Sequence, residues 1–249
     1  MKRILILIFI ALSIASEFSF ADDINAIFEK ANEAYRNRNY TQALADYERI
    51  GAKLKNPVIY YNMANAAFKE NQLGKAILYY EKARKMSPRN SDIRKNLAYA
   101  QGGVEYRVED KRNWYLRQFF KFLDYFRLSE MIIALLAVYS LLAITLIFCL
   151  ITGREFLRSN WVSALIVVLV VSVGVTSIQF YRSKFQQKAV VIASGKLDVR
   201  YGPSKDEKLA FNLVEGIQLS VDDELNDWYR ISIVNGETGW VLKEGIEKI

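Results

Sequence analysis

The sequence predicts a multidomain membrane protein with an all-α helical-repeat solenoid, a two-helix transmembrane hairpin and an all-β small barrel, in that order. Three observations predict it. Between Asp22 and Gly103 the apolar residues recur at helical spacing, and the segment repeats itself at about 33 residues, the period of stacked helix pairs. Two uncharged apolar runs come next, Met131 to Ile151 and Trp161 to Tyr181. From Ala189 the pattern changes to short alternating runs broken by turn signals.

Composition excludes more chemistry than it suggests. Among 249 residues there is no histidine, which removes His-based triads, His general bases and His metal ligands. The single cysteine, Cys149, lies inside an apolar run, so a disulfide framework and a Cys-cluster zinc site are excluded too. No cofactor is expected and no metal. Carboxylates alone could do acid–base work. The cluster Asp222, Asp223, Glu224 and Asp227, however, reads as a polar β-turn, so no catalytic residue is assigned.

The N-terminus reads Met1-Lys2-Arg3, the apolar run Ile4 to Ala15, then Ser16 to Ala21, with small residues at Ser19 and Ala21. That is the layout of a secretory signal peptide, with Ser19 and Ala21 before the cut and Asp22 after it. An uncleaved signal anchor is the alternative; both export the chain from Asp22 onward. Each later apolar run is about 31 Å long as a helix, enough for a hydrocarbon core of about 30 Å. The chain then divides into a signal peptide at 1–21, a repeat domain at 22–103 and a linker with an interfacial helix at 104–129. A first span at 130–151, a cytoplasmic loop at 152–160, a second span at 161–182 and a β-domain at 187–249 complete it. The expected address is the bacterial inner membrane, multi-pass, with both terminal domains on the extracytoplasmic side. The basic residues give mixed support: Arg154 and Arg158 sit in the loop, but Arg117, Lys121, Arg127, Arg182 and Lys184 flank the spans outside.

Within the repeat domain, Asn39 to Tyr47 aligns with Gln72 to Tyr80: Ala43 matches Ala76, and Tyr47 matches Tyr80. Upstream, Ala31 matches Ala64 and then Ala98, and Tyr35 matches Phe68; Ala83 and Pro88 finish the second unit. Small residues at fixed points let two helices cross closely, and proline stops the second. These residues resemble the tetratricopeptide repeat (TPR), with units at about Ile24–Asn56 and Pro57–Asn90. Ser91 to Gln101 serves as a capping helix, and Ile50 departs from the expected alanine. The resemblance implies a concave face, built by the first helix of each unit, that holds a partner's peptide. Carried over by position, that face shows Phe28, Asn32, Tyr35 and Arg36, then Tyr61, Asn65, Phe68 and Lys69, then Lys95 and Tyr99. Asparagine there can hold a ligand backbone or a terminal carboxylate, although a full carboxylate clamp would want lysine where Phe28 stands. The domain carries 14 basic and 9 acidic residues, which favours an acidic protein partner over nucleic acid.

Trp114 to Leu128 is aromatic, with Arg117, Lys121, Asp124 and Arg127 forming a narrow polar stripe, the pattern of a helix lying in a membrane interface. Beyond the second run, Val199-Arg200, Gly202-Pro203-Ser204, Glu215-Gly216, Trp228 and Gly239-Trp240-Val241 resemble a bacterial SH3 domain, an SH3-like barrel. Asn235-Gly236 suits a type I′ hairpin turn. The resemblance implies peptide or cell-wall glycopeptide binding in some members and a spacer role in others. Trp240 is expected in the core, and Tyr201, Trp228 and Tyr229 in an exposed aromatic groove. This domain has 8 basic and 11 acidic residues, opposite in balance to the repeat domain, so contact between the two is expected.

The order of parts resembles the BatE-type proteins of bacterial aerotolerance operons. That implies membership of an inner-membrane Bat assembly, with von Willebrand factor A domain membrane proteins as partners and a stress role. The expected function is a non-catalytic scaffold; the alternative is a cell-wall sensor that reads peptidoglycan through the SH3 domain.

Overall fold

The computed structural model describes residues 23–106, 108–152 and 160–249. The signal peptide and nearly all of the loop between the apolar runs lie outside the described residues.

Five helices form the repeat domain: α1 over 23–36, α2 Tyr40–Lys53, α3 Pro57–Lys69, α4 Leu73–Met86 and α5 Ser91–Gly102. Local chemistry sets their ends. Asn39, Asn56 and Asn90 each accept a hydrogen bond from a first-turn amide of the helix they precede, and Pro57 opens α3 where its missing N–H costs nothing. The turn inside each unit is the same. Arg38 (φ 62°) and Asn71 (φ 58°) are left-handed, and the next amides, of Asn39 and Gln72, reach back to Ala34 O and Ala67 O at 2.9 Å. Ala31, Ala43, Ala64, Ala76 and Ala83 are fully buried where helices cross. Ile50 is fully buried as well, standing in the first unit where Ala83 stands in the second. Ala98, expected to continue the series, is exposed; Leu97 and Ala100 face the core instead.

The aromatic segment forms α6, Trp114–Leu123. Trp114, Tyr115 and Phe122 are exposed, while Leu123 is fully buried. Next come α7, Leu128–Thr152, and α8, Asn160–Phe185. These two pack along each other, and both are long and apolar enough to cross a membrane. Almost none of their most apolar stretches is covered by the rest of the protein. A buried hairpin of a soluble core would be wrapped; this one is not.

The C-terminal part is one antiparallel sheet of seven strands: β1 Gln187–Val191, β2 Lys196–Arg200, β3 Leu209–Val214, β4 Gln218–Leu225, β5 Trp228–Ser232, β6 Thr238–Leu242 and β7 Ile246–Lys248. The order is β3-β2-β6-β5-β4-β1-β7. The expected barrel is therefore not closed: β3 and β7 are edges, and no ladder joins them. The sheet curls until Leu197 lies against Gly245, where a Cβ would fall 2.5 Å from it, but side-chain packing rather than hydrogen bonding spans the gap. Ala189, Val191, Val199, Leu213, Leu219, Ile231 and Val241 fill the concave side.

Three local expectations are corrected. Of Asn235 and Gly236 only the glycine has positive φ (95°), so the hairpin is a type I turn closed by a left-handed glycine, not type I′. Asp222, Asp223 and Glu224 belong to β4, where Asp223 and Glu224 pair in register with Arg230 and Tyr229; the turn begins only at Asn226. Trp240 is half-buried rather than core, because its neighbours Gly239 and Val241 point inward and a strand alternates its faces.

Candidate functional site

The expected peptide-binding residues fall on α1, α3 and α5, and the repeat is visible in their contacts. Tyr47 Oη on α2 donates to Asn32 Oδ1 at 2.7 Å, and Tyr80 Oη on α4 donates to Asn65 Oδ1 at 2.5 Å. The ring of Phe28 meets Tyr47 at 6.0 Å and 57°; Tyr61 meets Tyr80 at 6.0 Å and 58°. Each unit therefore fixes its first-helix asparagine from behind with the tyrosine of its second helix. The carboxamide oxygen is committed to that bond, which leaves the amide N–H as the donor a ligand backbone would meet. Burial pushes the Tyr47 hydroxyl up to about 12 and raises Tyr80 further, so both are neutral donors at ordinary pH.

Phe68 and Tyr99 bring α3 and α5 together, with ring centroids 5.5 Å apart, and Tyr99 remains 73% exposed. Tyr35 stacks edge-on to Tyr40 at 5.1 Å, and burial raises its hydroxyl, with Tyr40 and Tyr61 adding to the effect. Phe28, Tyr35, Tyr61 and Phe68 pack partly against the core, whereas Arg36, Lys69 and Lys95 stand exposed. The result is a fixed aromatic and amide floor edged by cations. Asn96 escaped the sequence reading. Its Nδ2 donates to Tyr61 Oη at 3.0 Å and Asn65 Oδ1 at 3.3 Å. Repeat spacing from Asn65 lands on Ala98 or Tyr99, so the period pointed past it.

The SH3-like residues do not come together as one groove. Trp228 is 8% exposed and unavailable as an open aromatic wall, which corrects its expected place there. By register Trp228 pairs with Leu242, on the same sheet face as Trp240 and opposite the inward-facing Val241, so it is covered on the outer face of the sheet, apart from the concave core. Tyr201 is 70% exposed. Tyr229 is half-buried and covered by Lys248 at 4.4 Å and Lys243 at 5.1 Å from its centroid. Lys243 and Lys248 in turn engage Glu224.

The repeat domain and the sheet dock directly. Gly74, at the start of α4, is so close to the end of β1 that a Cβ would sit 2.3 Å from Val191 O and 3.0 Å from Ile192 Cα. Its amide donates to Glu215 Oε1 at 2.7 Å. Gly216, at φ +85°, leaves room for Ile77 and Val104, each within 3 Å of where its Cβ would be. Val190 is buried in the repeat-domain core, with Ile192 and Ile249 packed beside it. Gln218 Nε2 reaches the buried Glu81 at 2.7 Å, and Glu81 also pairs with Arg84. Lys82 pairs with Glu247 at 2.6 Å. The opposite charge balances meet at few points, and apolar burial carries most of the interface.

Comparison with known proteins agrees with these two modules. Residues 57–90 match the family model of the tetratricopeptide repeat, and residues 195–247 match that of the bacterial SH3 domain. The chain thus combines two kinds of interaction module, neither of which is typically catalytic. Among solved structures it is similar to "Crystal Structure of the Yeast Tom70", with 15% identity and a TM-score of 0.32. That match covers 68% of this chain but only 27% of the other. None of the curated proteins matches the sequence.

Proposed function

We propose that this protein is a non-catalytic scaffold anchored in the bacterial inner membrane by α7 and α8, presenting the TPR groove and the SH3 sheet outside the cytoplasm. One observation carries the reading: Asn32 and Asn65 are held by repeat-equivalent tyrosines beneath the exposed edge of Tyr99, Arg36, Lys69 and Lys95. Pre-fixed amides and rings cost a ligand little ordering entropy, and the exposed cations favour an extended acidic peptide. Docking of the two modules supports a shared compartment, since domains on opposite sides of a bilayer could not bury Val190 together with Ile77. The partner class we propose is a von Willebrand factor A domain membrane protein of a Bat-type stress assembly. A photo-crosslinking residue at Tyr99, followed by purification in detergent, tests this. The reading expects such a protein in the crosslinked band, lost when Asn32 and Asn65 are both replaced by leucine; recovery of no partner protein would overturn it.

A second reading rests on Tyr201, an exposed ring at the sheet surface beside Arg200. There the SH3 module contacts peptidoglycan and gives the tether a second foothold. Sedimentation with purified cell wall tests it: retention should fall in Tyr201→Ser, and equal retention would remove the reading.

A further inference from the structure

Where α4, the corner between α6 and α7, the last turns of α8 and strands β1 and β7 meet, the protein forms a partly open cavity of about 670 Å³. Leu128 and Ser129 border it at the start of α7, and Gln179 and Ser183 near the end of α8. Six cations line it, Arg84, Lys85, Arg127, Arg182, Lys188 and Lys248, against the two acidic side chains Glu81 and Asp124. Most of the cations are engaged. Arg84 is bound to Glu81 at 2.7 Å, Arg182 to Asp124 at 3.1 Å, Lys248 to Glu224 at 3.5 Å and Lys85 to Ile249 O at 3.3 Å. Lys188 and Arg127 differ: among the described residues neither side chain has a hydrogen bond or ion pair.

Lys188 matters most because it is half-buried and its side chain has no partner of its own. Burial pushes its ammonium below the usual lysine range, and Arg182 and Arg84 push the same way against Asp124 and Glu81. Asp124 and Glu81 are already taken by Arg182 and Arg84, so a half-buried Lys188 with no ion pair of its own carries a cost that a bound anion would lower. We propose that this cavity binds a phosphate ester, the headgroup of an anionic phospholipid, with Lys188 and Arg127 as its cationic contacts. The inference rests on the membrane-anchor reading above, which puts the ends of α7 and α8 at headgroup depth. Phe126 and Leu128 supply an apolar wall for the glycerol and first acyl carbons. The tight pairs Arg84–Glu81 and Arg182–Asp124 keep the cavity walls fixed, so the ligand meets a preformed site.

Native mass spectrometry of the full chain, released from phosphatidylcholine nanodiscs containing phosphatidylglycerol, tests the proposal, with soluble glycerol phosphate as a parallel probe. The expected result is one retained phosphatidylglycerol per chain in preference to phosphatidylcholine. Lys188→Gln should lower that retention about tenfold and Arg127→Gln by a similar factor, the loss of one charge-assisted contact each. Lys188→Gln should not lower the melting temperature, because it relieves a half-buried charge, so loss of lipid would not reflect unfolding. Retention of glycerol phosphate without lipid would keep the anion site and assign it a soluble source. Equal retention by the native chain and both variants, or no retention of either probe, would overturn the site. Carbonate washing of membranes separates the anchor from the lipid site: a chain that washes off overturns the anchor and this inference with it. A carbonate-resistant chain with no anionic preference overturns this inference alone.

Discussion

The amide of Gly74 donates to the carboxylate of Glu215 at 2.7 Å, so the second repeat unit has its helix α4 capped by the β-domain. In the first unit the equivalent helix caps itself, through Asn39. Gln72 stands at that place in the second unit and makes no side-chain cap. A carboxylate at a helix N-terminus satisfies an orphan N–H and complements the helix dipole, together worth about 0.5–2 kcal/mol. Glu215→Ala should therefore loosen docking without unfolding either part. Limited proteolysis checks it: the segment around Val104 and Val108, which packs on the sheet, should be cut faster, while the α1–α3 core stays protected.

Gly74→Ala gives a sign test. In an exposed helix interior, alanine for glycine stabilises by about 0.8–1 kcal/mol. Here the added Cβ would lie 2.3 Å from Val191 O, a backbone atom that cannot step aside. Thermal unfolding should show destabilisation and partial release of the sheet; a rise in melting temperature would mean the two parts do not dock as described.

The tyrosines predict an alkaline limit. The Tyr47 hydroxyl is raised from 10.0 to about 12, and Tyr79 and Tyr80 are raised as well, in each case chiefly by burial. A raised acid keeps its proton in the folded state after the unfolded chain has lost it. The stability is then fully present below pH 10 and is lost as pH climbs toward 12. Circular dichroism of the helical signal across that window should show a loss that is delayed in Tyr47→Phe. Near neutral pH the same substitution should cost about 1 kcal/mol, because Asn32 loses its partner.

Helix α6 should lie against lipid. Trp114 is 69% exposed, with Tyr115 and Phe122 exposed nearby. In a variant with Trp114 as the sole tryptophan, brominated lipids should quench its fluorescence, and Phe122→Ser with Tyr115→Ser should weaken the quenching. Emission indifferent to bromination would place α6 in water.

Much of the architecture was legible in the sequence because it is periodic. Ala31, Ala43, Ala64 and Ala76 marked helix crossings, and the two uncharged runs lie within the long helices α7 and α8. What escaped depends on contacts between distant segments. Glu215-Gly216 stood out as a β-domain signature, yet its work is at the base of α4, 141 residues away. Asn96 lies off the repeat period and gave no signal. Trp228 was expected in an open groove because a strand's sequence does not show what covers its outer face; it lies on the face away from Val241 and is still only 8% exposed. The open sheet was illegible for the same reason, since strand composition does not say whether the first and last strands meet.

Impermeant maleimide labelling of intact cells tests the central claim most directly. In a Cys149→Ser background, single cysteines replace Lys69 in the groove, Tyr201 on the sheet and Ser159 in the loop. The account predicts labelling at positions 69 and 201 in whole cells, and at 159 only after the membrane is broken. Labelling at one of the first two without the other would contradict it, because the docked modules would then be on opposite sides of the bilayer.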